Sequence, residues 1–277
     1  MVKVSQLLKS AEQLRATSDS AQVDCEILLC HVLDVDRSWL LTWPDAAIDT
    51  EQAQQFESLI RARLEGAPIA YLIGSRGFWN LDLKLTADTL IPRPETELLV
   101  EIALNLSLPM GSKILDLGTG SGAIALALAS ERANWQLTAL DFQADTLAVA
   151  KLNCHHHKLV NVQMIQSDWF TEVTDQFNLI VSNPPYIEQN DPHLKRGDVR
   201  FEPLTALVSG ADGLNDLRHI IKHSPDYLAD NGWLLVEHGF NQGSAVRDLF
   251  ISVGFSEVAT RCDYNQLERV TLGQWRL

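Results

Sequence analysis

The chain has 277 residues, 46% of them apolar and 7% aromatic, and a formal net charge of −14. Against a soft prior of about 150 residues per domain this is one large domain or two, with enough apolar mass for a packed core, which excludes a disordered chain. The acidic balance is poorly suited to gripping phosphate backbones, because nucleic-acid affinity rests largely on Lys and Arg neutralising phosphates.

The start, MVKVSQLLKSAEQLR, lacks the unbroken apolar stretch of a secretory leader. The longest purely apolar run, Ala123 to Ala129, falls far short of the roughly 20 residues of a membrane span, so no membrane partner is expected. Cys25, Cys30, Cys154 and Cys262 form no CxxC pair and read as reduced thiols of a cytoplasmic protein.

The first 70 or so residues predict a small bundle of short helices. Val4, Leu7, Leu8, Ala11 and Leu14 recur at helical spacing. A second run, Val23 to Leu33, puts Ile27, Leu28 and Leu33 in register behind a polar start at Ser18–Ser20. A third, Glu51 to Leu64, carries Ala53, Phe56, Leu59 and Ile60, and Gly66 stops it. From Gly74 the pattern changes to period two: Leu81, Leu83 and Leu85 alternate after Asn80, as in a hairpin.

From about residue 94 helices and strands alternate. The predicted order is helix Glu95–Leu106, strand Lys113–Leu117, helix Ala123–Glu131, strand Gln136–Leu140, helix Ala144–His155 and strand Val162–Gln166. Strand Phe177–Ser182, helix Asn215–Leu228, strand Trp233–Glu237, helix Gly243–Val253 and two β-like runs, Phe255–Arg261 and Arg269–Gln274, follow. Such alternation implies a mostly parallel sheet covered on both faces, with ligands beyond the carboxyl ends of the strands at the switch point.

Within this half, ILDLGTGSGAIALALA runs a strand into Gly118, Gly120 and Gly122 and then a helix. Glycines let the backbone turn sharply and approach a ligand closely; Gly118, Gly120 and Ala123 also fit a dinucleotide fingerprint. Asp116, two residues before the first glycine, would be awkward beside a pyrophosphate and suits a ligand with positive charge, such as the ammonium and sulfonium of S-adenosylmethionine (SAM). Asp141 ends the next strand, where a carboxylate accepts both ribose hydroxyls or caps the following helix. Asp168 and Trp169 end the third strand; the first can accept from an adenine amino group and the second pack along its ring, or they are a surface Asp and a core Trp.

Strand Phe177–Ser182 leads into Asn183-Pro184-Pro185-Tyr186. An amide nitrogen is a poor nucleophile because its lone pair is delocalised. To alkylate it, an enzyme must hold both N–H bonds so that the lone pair aims at the electrophile. The Asn183 side-chain oxygen and the Pro184 carbonyl can be the two acceptors, on a support that consecutive prolines stiffen. Tyr186 can set its π face against the nitrogen as it becomes cationic. Double proline is also ordinary turn punctuation.

Together these residues resemble the class I SAM-dependent methyltransferases, in the amino-methylating branch with an (N/D)PP(Y/F) motif. With LIPRPETE (Leu90 to Glu97), SDWF, VSNPPYI and DVRFEPLTALVSG added, the chain resembles the peptide-chain release factor glutamine N5-methyltransferases over nearly its whole length. The resemblance implies an α/β fold with a seven-stranded, Rossmann-like class I methyltransferase sheet, a small N-terminal helical bundle (1–73) for substrate docking and a β-hairpin connector (74–93) before the SAM-dependent domain (94–277). It implies SAM as donor, S-adenosylhomocysteine as product, no metal, and as acceptor the glutamine of the GGQ loop in class I release factors. Gly118, Thr119, Gly120, Ser121, Gly122, Asp141 and Trp169 would line the SAM site, with Asp168 at the adenine. Asn183, Pro184, Pro185 and Tyr186 would hold the glutamine amide, Asn183 also lying near the donor methyl. Arg93, Glu97, Arg200 and Glu202 would either buttress the pocket or form a structural ion-pair or capping set.

NPPY is shared with adenine methyltransferases of nucleic acid, where Tyr186 would stack on a flipped base; the net charge argues against that reading. A non-catalytic SAM-binding module would not need two aimed acceptors, and nicotinamide-dependent oxidoreduction stands further off. His155-His156-His157 are adjacent on a helix and cannot readily converge on one ion, so a solvated helix end is expected. With no exposed apolar heptad, the chain is expected to be a monomer with no direct nucleic-acid partner.

Overall fold

The computed structural model describes residues 1–276; the last residue of the expected 94–277 domain lies outside them. Contacts divide the chain into two compact units, Met1–Ser75 with Lys195–Phe201, and Arg76–Leu194 with Glu202 onward.

The first unit holds strand β1 (Val2–Lys3), helices α1 (Val4–Leu7), α2 (Ala11–Leu14), α3 (Ala21–Leu33) and α4 (Arg37–Thr42), strand β2 (Ala47–Ile48), and helices α5 (Thr50–Leu64) and α6 (Ile69–Ile73). The Asp49 carboxylate caps α5 by accepting from the Gln52 N–H at 2.8 Å, and Asp36 caps α4 through Trp39 N–H at 2.7 Å. Ala53, Phe56 and Ile60 of α5 pack with Leu28, Leu29 and Cys25 of α3 in one apolar cluster. The predicted register of α3 is corrected here. Its buried stripe runs through Ala21, Cys25, Leu28 and Leu29, which leaves Ile27 37% exposed on another face. Burial pushes the Cys25 thiol up to about 12, so it behaves as a small hydrophobe. Arg63, nearly buried, bridges Asp24 at 2.8 Å and Asp198 at 3.1 Å, which ties the 195–201 segment to the helices.

The second unit opens with the hairpin β3 (Ser75–Phe78) and β4 (Leu81–Lys84). Helix α7 (Glu97–Asn105), strand β5 (Lys113–Leu117), helix α8 (Ala123–Glu131), strand β6 (Gln136–Asp141), helix α9 (Ala144–His156) and strands β7 (Val162–Gln166) and β8 (Phe177–Ser182) follow. Helix α10 (Asn215–His223), strand β9 (Leu228–Glu237), helix α11 (Gly243–Val253) and strands β10 (Ser256–Cys262) and β11 (Glu268–Gln274) complete it. The seven strands form one sheet in the order β10-β11-β9-β8-β5-β6-β7, parallel from β9 to β7, with β11 antiparallel to β9 and β10 antiparallel to β11. Alternation along the strands splits the core in two: Ile114, Leu137, Leu179 and Leu235 pack on one face with α8, and Leu115, Leu140, Ile180 and Leu234 on the other with α10 and α11.

Two predicted boundaries move. The helix expected over 95–106 opens as a 3₁₀ turn, Pro94–Thr96, before α7 begins. The helix expected over 215–228 ends at His223, where Pro225 enters a second 3₁₀ turn, Ser224–Tyr227. The next strand starts at Leu228 rather than Trp233. Its polar first half pairs through a register shift between Phe177 and Leu179, with Asn231 at φ 61°, and so carries no alternating pattern to read.

Candidate active site

Register alone brings four strand ends into line. Leu117 of β5 pairs with Leu140 of β6 and Ser182 of β8, and Ser182 pairs with Val236 of β9. The residues that follow these positions, Gly118, Asp141, Asn183 and Glu237, therefore come up side by side at the carboxyl edge. The strand order reverses between β5 and β8, the place where open α/β sheets bind ligands.

A cavity of about 390 Å³ opens there. Of the residues singled out from sequence, Gly118, Thr119, Gly120, Ser121, Asp141, Asp168, Trp169, Asn183 and Pro185 are in its wall; Gly122, Pro184 and Tyr186 are not. Gly120 sits at φ 60°, its N–H donates to Asp141 Oδ2 at 3.0 Å, and a Cβ there would meet nothing within 4 Å. Gly122, at φ 89°, instead starts α8, and a Cβ there would come 2.9 Å from Leu126. The Trp169 backbone is also left-handed, at φ 47°, and its ring lies 3.6 Å from where a Gly118 Cβ would be.

The carboxylates divide the work. Asp141 accepts from Gly120 N–H and from Gln143 N–H at 3.0 Å, so it fixes the glycine loop and the entrance to α9 while keeping lone pairs for a ligand diol. Burial raises its pKa, and those backbone bonds oppose the rise. Asp116 does not reach the cavity wall, which corrects the expectation that it meets a cationic ligand. Sharing a sheet face with Ile114, it turns toward α8. There Oδ2 accepts from the Thr119 hydroxyl at 2.6 Å and from Ala125 N–H at 3.2 Å. Its other oxygen has no partner among the described residues, and burial pushes it up to about 7.

At the β8 corner the Asn183 amide NH₂ donates to Thr96 Oγ1 at 3.1 Å. Its Oδ1 is buried and makes no hydrogen bond among the described residues. The Tyr186 hydroxyl donates to Glu237 Oε1 at 3.2 Å, and burial raises its pKa. Glu237, fully buried at the end of β9, is pushed up to about 7 by that burial. An unpartnered amide oxygen beside an open cavity can take an N–H from a bound molecule, which is the capacity an amide-alkylating site needs.

Comparison with known proteins decides the family. Residues 6–74 match the PrmC N-terminal domain and residues 94–198 the methyltransferase small domain. A release factor glutamine methyltransferase from Aliivibrio fischeri is 52% identical over 260 residues, 93% of this chain and 92% of that protein. One from Escherichia coli K12 is 49% identical over 270 residues, 97% of both. The chain belongs to the release factor glutamine methyltransferase family. Among solved structures, a methyltransferase from Pyrococcus furiosus shares the fold at a TM-score of 0.56, with 18% identity over 78% of this chain and 98% of that one. The seven-stranded methyltransferase fold expected from sequence is the one found.

Family resemblance gave Arg93, Glu97, Arg200 and Glu202 as one set, and the structure separates them. Glu202, its side chain fully buried, accepts from Ile91 N–H at 3.0 Å and pairs with Arg93, which clasps the loop between Leu90 and Pro92, both in the cavity wall. Glu97 accepts from Trp79 N–H at 2.8 Å and so anchors the hairpin. Arg200 lies in the first unit, donating to Gly197 C=O at 3.1 Å. Two wall residues the sequence reading missed are Thr96, inside the PRPETE stretch, and Phe142, 61% exposed directly after Asp141. A polar residue in a loop and an exposed aromatic carry no periodic signal. Among the described residues no three His, Cys, Asp or Glu side chains gather as metal ligands, and the His157 ring pairs with the Asp82 carbonyl at 2.9 Å. No helix among the described residues is long and apolar enough to cross a membrane.

Proposed function

We propose that this enzyme transfers a methyl group from SAM to the side-chain amide nitrogen, N5, of the glutamine in the GGQ loop of class I peptide-chain release factors. The observation that carries the reading is the Asn183 amide, whose NH₂ is tied to Thr96 while its oxygen, beside the cavity, makes no hydrogen bond among the described residues. The names of relatives about 50% identical over nearly the whole chain support the same substrate.

SAM, when bound, supplies an electrophilic methyl on a sulfonium. Gly118, Thr119, Gly120, Ser121 and Gly122 form the turn that lets the main chain approach it; Asp141 takes the ribose hydroxyls, Asp168 the adenine amino group, and Trp169 packs along the ring. The donor set fits, since Asp141 keeps free lone pairs and Gly120 has open space at its Cβ position. Asn183 Oδ1 and the Pro184 carbonyl accept the two N–H bonds of the substrate carboxamide, Pro185 stiffens the corner, and Tyr186 closes it beside the nitrogen. With both hydrogens held, the nitrogen lone pair aims at the methyl. Orientation of this kind supplies up to about 7–11 kcal/mol in the best intramolecular systems. No base is required during transfer, because the proton leaves the cationic nitrogen afterwards.

The functional division is 1–73 for docking of the folded release factor, 74–93 as the connecting hairpin and 94–277 for methyl transfer. The enzyme acts as a cytoplasmic monomer, on protein and not on nucleic acid, in keeping with its net charge of −14. The test uses tritiated methyl-SAM with a purified release factor, the same factor with the GGQ glutamine changed to alanine, and duplex DNA. Label on the first alone is the expected result, and label on DNA overturns the reading.

A further inference from the structure

Thr146, Ala150 and Asn153 share one face of α9, at spacings of four and three, and all three are buried. The Asn153 side chain, in a residue 0% exposed, forms three hydrogen bonds to main chain. Its Oδ1 accepts from Lys84 N–H at 2.8 Å, and its Nδ2 donates to Lys84 C=O at 3.0 Å and to Ser121 C=O at 2.9 Å. One amide thus pairs with the last residue of β4 as a neighbouring strand does, and keeps its second N–H for the glycine loop. The Thr146 hydroxyl donates to Asp88 C=O at 2.7 Å. Ala150, between them, is small enough to let that loop lie close: a Cβ on Gly122 would stand 3.5 Å from the Ala150 methyl.

The stretch held in this way is more than a linker. Asp88, Leu90 and Pro92 alternate into the cavity wall, while Thr89 and Ile91 between them are buried. Ser121, the other partner of Asn153, is in the same wall. We propose that Asn153, together with Thr146, is a positioning residue for SAM: the pair sets the 84–92 connector and the glycine loop at a fixed spacing, so that the connector serves as a wall of the cofactor pocket. Asn153 is not itself a wall residue, so it acts only through Lys84 and Ser121.

An apolar side chain at 153 would leave three main-chain groups without these partners at a buried place, and the connector would leave its seat to satisfy them. Apparent affinity scales with the fraction of molecules whose binding-competent form is in place, so a connector seated a tenth of the time binds about ten times more weakly. The disturbance stops short of Thr96, because Glu202 holds Ile91 N–H and Arg93 between the two. Affinity for SAM and chemistry on the acceptor are therefore separable at Asn153.

The inference rests on the reading of the cavity as the SAM site, and the test separates the two. Full-length parent enzyme, Asn153→Leu, Thr146→Val and Thr146→Ser are compared for SAM affinity by calorimetry, for amide hydrogen exchange without ligand, and for kcat and KM on the release factor. The expected result is a SAM dissociation constant raised about tenfold in Asn153→Leu and Thr146→Val, with faster exchange over residues 85–91 and unchanged exchange in β5 and β8. Under saturating SAM, kcat falls by less than about threefold, and Thr146→Ser, which keeps the hydroxyl, recovers the affinity. If the parent enzyme binds no SAM, the reading of the cavity falls. If the parent binds SAM and both Asn153→Leu and Thr146→Val bind it within twofold of the parent, the positioning role is overturned and the reading stands. If affinity falls while β5 and β8 exchange faster in step with 85–91, the residues are merely structural and the inference is overturned. A fall in kcat larger than the loss of SAM affinity also overturns it, since the connector then serves the acceptor. Should Asn153→Leu fail to fold, the Thr146 pair decides alone.

Discussion

Two carboxylates stand at equivalent places in neighbouring parts of the sheet, Asp116 near the end of β5 and Glu237 at the end of β9. Both are fully buried, burial pushes both up to about 7, and among the described residues neither forms an ion pair and each keeps one oxygen without a hydrogen bond. They differ in what they hold. Asp116 ties a loop hydroxyl and the Ala125 N–H, and so fixes the course of the main chain from β5 into α8. Glu237 accepts from the Tyr186 hydroxyl at 3.2 Å, and so holds a side chain rather than the main chain. The same chemical group therefore shapes the cofactor half of the cavity through backbone and the substrate half through functional groups, and the two should fail differently when disturbed.

The sharpest way to break this division is Asn183→Ala. Turnover is expected to drop by at least about 10²–10³, the range for losing one preorganised hydrogen-bonding group, while SAM affinity measured by calorimetry stays within a few-fold. Parallel collapse of SAM binding would show the halves to be one site. Next in size is pH. Asp116 and Glu237 have folded pKa values of about 7 against roughly 4 in the unfolded chain. The folded state thus binds the proton more tightly, a contribution fully present below pH ~4 and lost as pH rises through ~7, on the order of 3 kcal/mol per group. Urea melts of Asp116→Asn and Glu237→Gln are expected to gain on the parent protein between pH 4 and 8.

Thr119→Val tests the backbone side. It removes the 2.6 Å bond to Asp116, worth about 1.5–3 kcal/mol for a charged acceptor. Lower stability and weaker SAM binding are expected, with kcat at saturating SAM unchanged. The smallest effect belongs to Gly120→Ala. The φ of 60° costs a non-glycine residue about 1–2 kcal/mol, and the added methyl enters the open space of the cavity wall. SAM affinity should fall several-fold by calorimetry without a change in the acceptor's KM.

Much of this was legible in the chain. Lys113–Leu117 and Phe177–Ser182 read as strands because short, mostly apolar runs ended at a glycine or just before the double proline, and glycine spacing marked the loop after β5. Asp141 and Asn183 were legible because each stands at the end of a mostly apolar strand, and Trp169 because it lies three residues beyond the third. Asp116 was misplaced because period-two alternation puts it on the α8 face, a matter of parity that depends on which face a helix covers. Thr96 and Glu237 were not legible because their importance lies in partners far along the chain. Asn183 is 87 residues from Thr96 and Tyr186 is 51 from Glu237, separations that only the tertiary fold closes. In the first unit, the two-residue strands β1 and β2 and the short helices α4 and α6 offer too few residues for any period to show.

The lateral match of Leu117, Leu140, Ser182 and Val236 has a mechanical consequence. Main-chain ladders, not the reactive side chains, set the distances between the four groups that rise beyond them. Those distances therefore tolerate exchange of side chains at the rim far better than a change in strand length. Adding or deleting one residue within β8 would turn Asn183 onto the opposite face, as any one-step slip of a strand does, and would silence the protein while leaving its sheet intact.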